Sequence, residues 1–263
     1  MPSIDEKRVY GAAAGATRAL VASTVGVVSV GVSDDIVGEF GIDGGCVARD
    51  LAVSGDVLAV ATDDDVLVGD YESTDHGPAT TVAVGDTVTA VAPDGTVSRL
   101  ADDGWEPLGT VASPAVADGP FVGGEDGVVR VDDDGLSPVG LADVRDLAAT
   151  PVPYAATDDG LYRLGNGWRR VREGSFRAVT ATEETVAAAT AEGVVTRGGP
   201  WGDDWREHRE SSVVALAAFD DSLFGLTGDG RLRVTVGDGW RGRTLGVPEP
   251  AAVAVTGRAV RPE

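Results

Sequence analysis

The groups on this chain best placed to do chemistry are carboxylates that gather in short turns. Asp63, Asp64, Asp65, Asp94, Glu125, Asp126, Asp158, Asp159, Glu192 and Asp229 fall in one recurring set of turns. Several carboxylate oxygens brought together can hold a hard cation such as Ca²⁺. A second set of turns is equally acidic, with Asp102-Asp103, Asp132-Asp133-Asp134, Asp203-Asp204 and Asp238. Acid on both sets, with no liganding run of the EF-hand kind, favours a solvated surface over a metal site. No metal and no cofactor are expected.

A second pattern is cationic and aromatic. Between Gly160 and Leu245 there are 12 Arg and 12 acidic residues, so that stretch is formally neutral within a chain of net charge −22. The arginines follow tryptophans, in Trp168-Arg169-Arg170-Val171-Arg172, Trp205-Arg206-Glu207-His208-Arg209 and Trp240-Arg241-Gly242-Arg243. Arginine beside an aromatic ring suits an acidic partner or a phosphate, which makes these residues the candidate partner-binding set. Charge on exposed edge strands, which keeps sheets from pairing edge to edge, accounts for the same pattern, with each tryptophan as a structural cover over its own blade or the next. Of the arginines after Trp168, Arg170 and Arg172 share one face of a strand and Arg169 takes the other.

For catalysis the inventory is thin. His76 and His208 are the only histidines, and His76 lies in a turn-like run, Ser73-Thr74-Asp75-His76-Gly77-Pro78. A Ser-His-Asp set would have to converge from distant segments, and nothing in the spacing asks for one. Cys46 is the only cysteine, which excludes a disulfide or Cys-based zinc site within the chain and reads as a small core residue. The glycine-rich turns do not open helices, so they are not phosphate loops.

The elements that must carry these residues follow from a repeat. Val25-Gly26, Asp64-Asp65, Asp94-Gly95, Asp126-Gly127, Asp159-Gly160, Glu192-Gly193 and Asp229-Gly230 each follow a run of small apolar residues and precede a β-prone run. The later gaps are 32, 33, 33 and 37 residues, a period that signifies stacked units. The clearest unit spans Val144 to Val171, where the strand Asp146-Leu-Ala-Ala-Thr150 is followed by Tyr154–Thr157, Leu161–Leu164 and Trp168–Val171, four short strands joined by Asp-Gly and Asn-Gly hairpin signals. Four-stranded antiparallel units repeated around an axis make a β-propeller. The chain therefore reads as all-β, a single propeller domain over 1–263 with seven short blades. Six blades is the alternative, if Asp56 to Gly109 forms one irregular blade. Ring closure calls on a terminal strand, from Arg8 to Ala14 or from Ala251 to Val260, and the C-terminal segment is expected to supply the inner strand of the first blade.

Composition sets the remaining bounds. Lys occurs once, Asn once and Gln never, and 43 acidic side chains face 21 basic ones. Asp and Glu resist salting out better than Lys, so this balance suits the interior of a salt-adapted cell and disfavours general nucleic-acid binding. There is no signal-like start and no apolar run long enough for a membrane helix, so a cytoplasmic protein with no membrane contact is expected. The Asp-Asp-Gly-Leu-Tyr hairpin, the Gly-Asn-Gly-Trp and Gly-Asp-Gly-Trp turns and the Lys-poor acidity resemble a family of haloarchaeal β-propeller proteins of uncharacterised function. That resemblance implies the fold and the salty cytoplasm, and carries no catalytic residues. The function expected is a non-enzymatic platform for protein-protein interaction. Its alternative is binding of an acidic partner or nucleic acid through the Arg/Trp rim, with a hydrolase at the channel mouth a weaker third reading.

Overall fold

A computed structural model describes residues 16–33, 36–209, 213–236 and 239–257. Its strands form seven four-stranded antiparallel sheets, the blades of a β-propeller. The six-blade alternative is thereby set aside. The stretch from Asp56 to Gly109 is shared between blade 2, which begins at Ala48–Ser54, and blade 3, which ends at Gly104–Thr110. Among the described residues no helix is long and apolar enough to cross a membrane.

Each blade runs outward from an inner strand. In chain order of the blades the inner strands are Ala252–Thr256, Ala48–Ser54, Thr81–Val84, Pro114–Asp118, Val144–Ala148, Ala178–Ala181 and Val213–Phe219. Blade 1 is completed by Ala16–Ser23, Gly26–Ser33 and Ile36–Gly44. Its inner strand comes from the far end of the chain and pairs antiparallel with Ala16–Ser23, Arg18 opposite Thr256 and Ala22 opposite Ala252. The C-terminal segment therefore closes the ring as the sequence led us to expect. The candidate strand Arg8 to Ala14 lies outside the described residues.

Small side chains make the packing work. Among the described residues seven apolar clusters lie one at each seam between blades, built mainly of Ala, Val and Leu. At the closing seam Ala19, Val21, Val28 and Val30 of blade 1 meet Phe224, Leu226, Leu232 and Val234 of blade 7. A blade has two apolar faces and no core of its own, so each is stable only against both neighbours.

The recurring turns join the second and third strands of each blade, and in blades 1, 2, 5, 6 and 7 they are held in a common way. Ser23, Thr62, Thr157 and Thr190 each direct a side-chain oxygen to a backbone carbonyl three residues on, and Thr227 does so four residues on. This hydroxyl-centred turn satisfies groups that a tight hairpin leaves over. The chain leaving the outer strand then crosses the turn, with Val111 N–H donating to the Gly95 carbonyl and Leu245 N–H to that of Gly230. At Gly95, φ is +87° and a β-carbon would fall 2.0 Å from the Val111 oxygen, so only glycine fits.

Ring closure gives a direct test. A chain ending at Pro250 lacks the inner strand of blade 1 and exposes the faces of blades 1 and 7. It is expected to lose the cooperative thermal transition seen by circular dichroism, whereas an unchanged transition would mean that closure is dispensable.

Candidate functional site

A propeller offers three places for function: the central channel, the rim of outer strands and the turns on its two faces. The channel is lined by the inner strands and encloses about 390 Å³. Its walls are mostly Ala, Val and Leu, with three aspartates among them, Asp50, Asp118 and Asp146. Each reaches to the next blade. Asp50 accepts hydrogen bonds from Thr81 Oγ1 and from Val82 N–H (3.1 Å). Asp118 accepts from Ala149 N–H at 2.7 Å, and Asp146 from Val179 N–H at 2.7 Å. Thr81 extends the series, since its Oγ1 accepts from Ala117 N–H of blade 4 at 3.0 Å. These bonds link blades 2 to 3, 3 to 4, 4 to 5 and 5 to 6.

The local sequence explains the placement. Arg49-Asp50-Leu51-Ala52 recurs as Arg145-Asp146-Leu147-Ala148. In both, a bulge shifts the register just before the aspartate, between Ala48 and Asp50 and between Val144 and Asp146. A bulge sets two residues against one and re-aims side chains. Here the extra residue is an arginine at the channel mouth, while the aspartate caps its own next N–H and that of the neighbouring blade. Arg49 forms a two-pronged ion pair with Asp63, at 2.6 and 2.7 Å, and Arg145 pairs with Asp158. Arg177 lines the same channel on blade 6.

Removal from bulk water governs these carboxyl groups. Burial pushes Asp146 up to about 8 against two backbone hydrogen bonds, helped by the charges of Asp118 and Asp50. Burial likewise raises Asp50 to about 6 and raises Asp118. A carboxylic acid that keeps its proton still has lone pairs to accept the interblade N–H, so the clamps do not need the charge.

The acidic turns are engaged locally as well. Asp65 accepts from the N–H groups of Val66, Thr74, Asp75, His76 and Gly77 and from the Ser73 hydroxyl. Burial would raise its pKa, yet these bonds outweigh it and hold the carboxyl below its ordinary value. The loop so fixed receives Trp105 of blade 3, whose Nε1 donates to the Thr74 carbonyl and whose ring meets His76 edge-on at 4.5 Å. Asp159 bonds Thr157 and Tyr162, and Asp229 bonds Thr227. Among the described residues no group of His, Cys, Asp or Glu is arranged to hold a metal ion. Cys46 sits half-buried beside the seam of blades 1 and 2, and burial raises its thiol pKa.

The Arg/Trp rim divides in two. Trp168, Trp205 and Trp240 open the outer-strand segments of blades 5, 6 and 7 and pack half-buried on the clusters shared with the preceding blade. Arg170 pairs with Asp159 and Glu173 of its own blade. Arg172 crosses to Glu207 of blade 6 at 2.7 Å and lies over the Trp205 ring. Arg243 reaches blade 1, donating to the Gly38 carbonyl and covering Phe40 at 4.9 Å. Arg169, Arg206, Arg209 and Arg241 are exposed. The rim therefore also joins blades, and its residues are not gathered into one pocket.

A feature that sequence reasoning missed lies on the opposite face from the hydroxyl-centred turns. In blade 6 the third and outer strands are joined by Gly199 to Trp205, where blade 5 uses only Gly165, Asn166 and Gly167. Arg197 is 6% exposed and has no carboxylate partner among the described residues. Its guanidinium donates to the carbonyls of Pro200 (2.6 Å) and Gly202 (2.8 Å) and lies over Trp205 at 4.8 Å. The Pro200 carbonyl accepts also from Tyr154 Oη (2.7 Å) and Arg163 Nη1 (2.9 Å). The loop so anchored presents Trp201, 68% exposed, with Arg163 stacked on one face at 4.1 Å. The length of this loop, Gly-Gly-Pro-Trp-Gly, was the available signal.

The comparisons with known proteins agree with this geometry. The model of the HVO_0234-like β-propeller family matches residues 3–256. The chain belongs to that family. Its name is a haloarchaeal gene name, in keeping with the resemblance seen in the sequence. No curated protein matches the chain. Among solved structures it is similar to PorZ, a surface component of the type-IX secretion system of Porphyromonas gingivalis. The TM-score is 0.59 at 11% identity, over 81% of this chain and 34% of PorZ, so the chain spans about a third of that protein. The computationally designed Ika8 protein gives 0.59 at 17% identity, over 91% of this chain and 90% of Ika8. YCF48, solved bound to D1 peptide, gives 0.56 at 12% identity, over 76% of this chain and 84% of YCF48. At these identities the likeness is one of fold.

The channel carboxyls set a pH dependence. A pKa raised on folding adds stability that is fully present below the unfolded value, near 4, and is lost as pH rises through the folded one. Stability should therefore fall from about pH 4 to about pH 8, with Asp146 responsible for the upper part of the decline. Asp146→Asn should flatten that part. It should also lower stability by about 1–3 kcal/mol, because an amide offers one carbonyl oxygen where Leu147 N–H and Val179 N–H each need an acceptor. Urea unfolding at a series of pH values checks both.

Proposed function

We propose that the chain is a non-enzymatic binding platform that docks a protein partner on its outer surface. The observation that carries this reading is Trp201, a large apolar side chain held in solvent by a loop that a buried arginine and a buried tyrosine anchor. Tryptophan on a stiff support has little conformational entropy to lose on binding and is enriched at the energetic centres of interfaces. The channel supports the same reading, since its aspartates are engaged in joining blades. A peptide-bound propeller such as YCF48 shares this fold. The acidic, Lys-poor composition and the family's haloarchaeal gene name support a salty cytoplasm as the place where the platform works.

The rim supports a second reading. Arg169, Arg206 and Arg209 are exposed and form no ion pair among the described residues, which suits an acidic partner or a nucleic acid. The two surfaces lie on different parts of blades 5 and 6 and can be probed separately.

Site-specific photocrosslinking in a haloarchaeal host distinguishes them. Trp201→benzoylphenylalanine should trap a defined protein on irradiation, while Arg206→benzoylphenylalanine should not. Trapping at the rim alone would transfer the partner site there. No protein adduct at either position would argue against the platform.

A further inference from the structure

The channel opens on the face of the hydroxyl-centred turns, and an arginine lines it at that end of the inner strand in three blades: Arg49 in blade 2, Arg145 in blade 5 and Arg177 in blade 6. Register makes the three equivalent. Each precedes a residue paired with the alanine before the turn hydroxyl, Asp50 with Ala61, Asp146 with Ala156 and Ala178 with Ala189. The hydroxyls are those of Thr62, Thr157 and Thr190. In blades 2 and 5 the residue after that threonine is an aspartate and takes the arginine, Asp63 with Arg49 and Asp158 with Arg145. In blade 6 it is Ala191. Arg177 is half-buried where its two counterparts are exposed. Among the described residues it forms no ion pair, neither with Glu192 of the same turn nor with any other acid. Arg169 and Arg206 also have no such partner, but they stand on outer strands. Of the arginines that line the channel, Arg177 alone lacks a carboxylate among the described residues.

We propose that the channel mouth at blade 6 binds a small organic carboxylate, which Arg177 holds as Arg49 and Arg145 hold Asp63 and Asp158. The site is separate from the platform reading, because Trp201 lies on the opposite face. The fold shows twice which group meets an arginine at this position, and at Arg49 the carboxylate is taken by two nitrogens, at 2.6 and 2.7 Å. The planar fork of a guanidinium matches the two oxygens of a carboxylate. A half-buried guanidinium rewards such a ligand more than an exposed one does, because less water competes for it. Asp146 lies at the same seam, where it accepts from Val179 N–H on the strand that Arg177 precedes. Burial keeps Asp146 protonated through neutral pH, so it does not repel an anion there. The remaining wall is mostly Ala, Val and Leu around about 390 Å³, which suits a ligand with a short apolar body behind its carboxylate.

The test uses the whole chain with benzoate as the probe and benzamide, its uncharged counterpart, as the comparison. Saturation-transfer difference NMR is titrated at the lowest salt in which the protein keeps its folded circular dichroism. Benzoate should bind, and benzamide should bind about tenfold more weakly or worse. Arg177→Ala should weaken benzoate binding by a similar factor. Ala191→Asp should do the same for the opposite reason, because it supplies from within the chain the carboxylate that blades 2 and 5 already have. Ala191 is exposed on its turn, so that variant keeps the fold. Arg206→Ala, which removes the same charge from the outer strand of blade 6, should change binding by no more than about twofold. Loss in both Arg177→Ala and Ala191→Asp, with Arg206→Ala unaffected, would establish the site. Equal binding of benzamide, benzoate binding that survives Ala191→Asp, an equal loss in Arg206→Ala, or no binding by the wild type would overturn the inference.

Discussion

Everything in this molecule depends on the meeting of faces between neighbouring blades. A four-stranded sheet of short strands cannot bury its apolar residues by itself, and here each sheet has neighbours on both sides. The ring must therefore close, and it does so by joining distant parts of the chain, with Ala252–Thr256 laid beside Ala16–Ser23. Once closed, no blade is terminal. The side chains at the seams are small because the faces approach closely, which explains a composition rich in Ala and Val and poor in large apolar residues.

Closure also decides what the polar groups can do. The inner strands line the channel, and there each buried backbone N–H not used within its blade needs an acceptor. Asp50, Asp118 and Asp146 supply those acceptors across the seams, and their burial there shifts them upward in pKa against the hydrogen bonds they accept. At the outside, Asp65, Asp159 and Asp229 settle turns, and Arg172 and Arg243 bind blade to blade. With so many polar groups serving the architecture, the Trp201 loop of blade 6 stands out on the surface. There a buried arginine stiffens a loop whose most prominent side chain touches little of its own protein.

Much of the fold was legible because it is periodic. The strand Tyr154–Thr157 and the start at Trp168 fall where the hairpin signals put them, since Asp-Gly and Asn-Gly turns constrain register strongly. Boundaries drifted at the inner strand of blade 5, which begins at Val144 and not Asp146, because a bulge adds a residue that no alternation pattern reveals. The tryptophans after the second set of turns were visible, but not that each covers the preceding blade, which depends on the twist between sheets. The channel aspartates carried a signal, the repeated Arg-Asp-Leu-Ala, whose meaning needs the neighbouring blade to be in place. Arg197 was beyond reach: in sequence it is one more strand arginine, and only the Pro200 carbonyl and the Tyr154 ring show why it is buried.

The central claim is that the polar interior serves the ring and leaves recognition to the surface. Amide hydrogen exchange at Val82, Ala149 and Val179 tests it most directly, because these N–H groups donate to the three channel carboxyls. They should exchange only through global opening, in the slowest class of the protein. Exchange at the rate of exposed loops would mean that the carboxyls are not engaged and are available for chemistry in the channel, which would contradict the account.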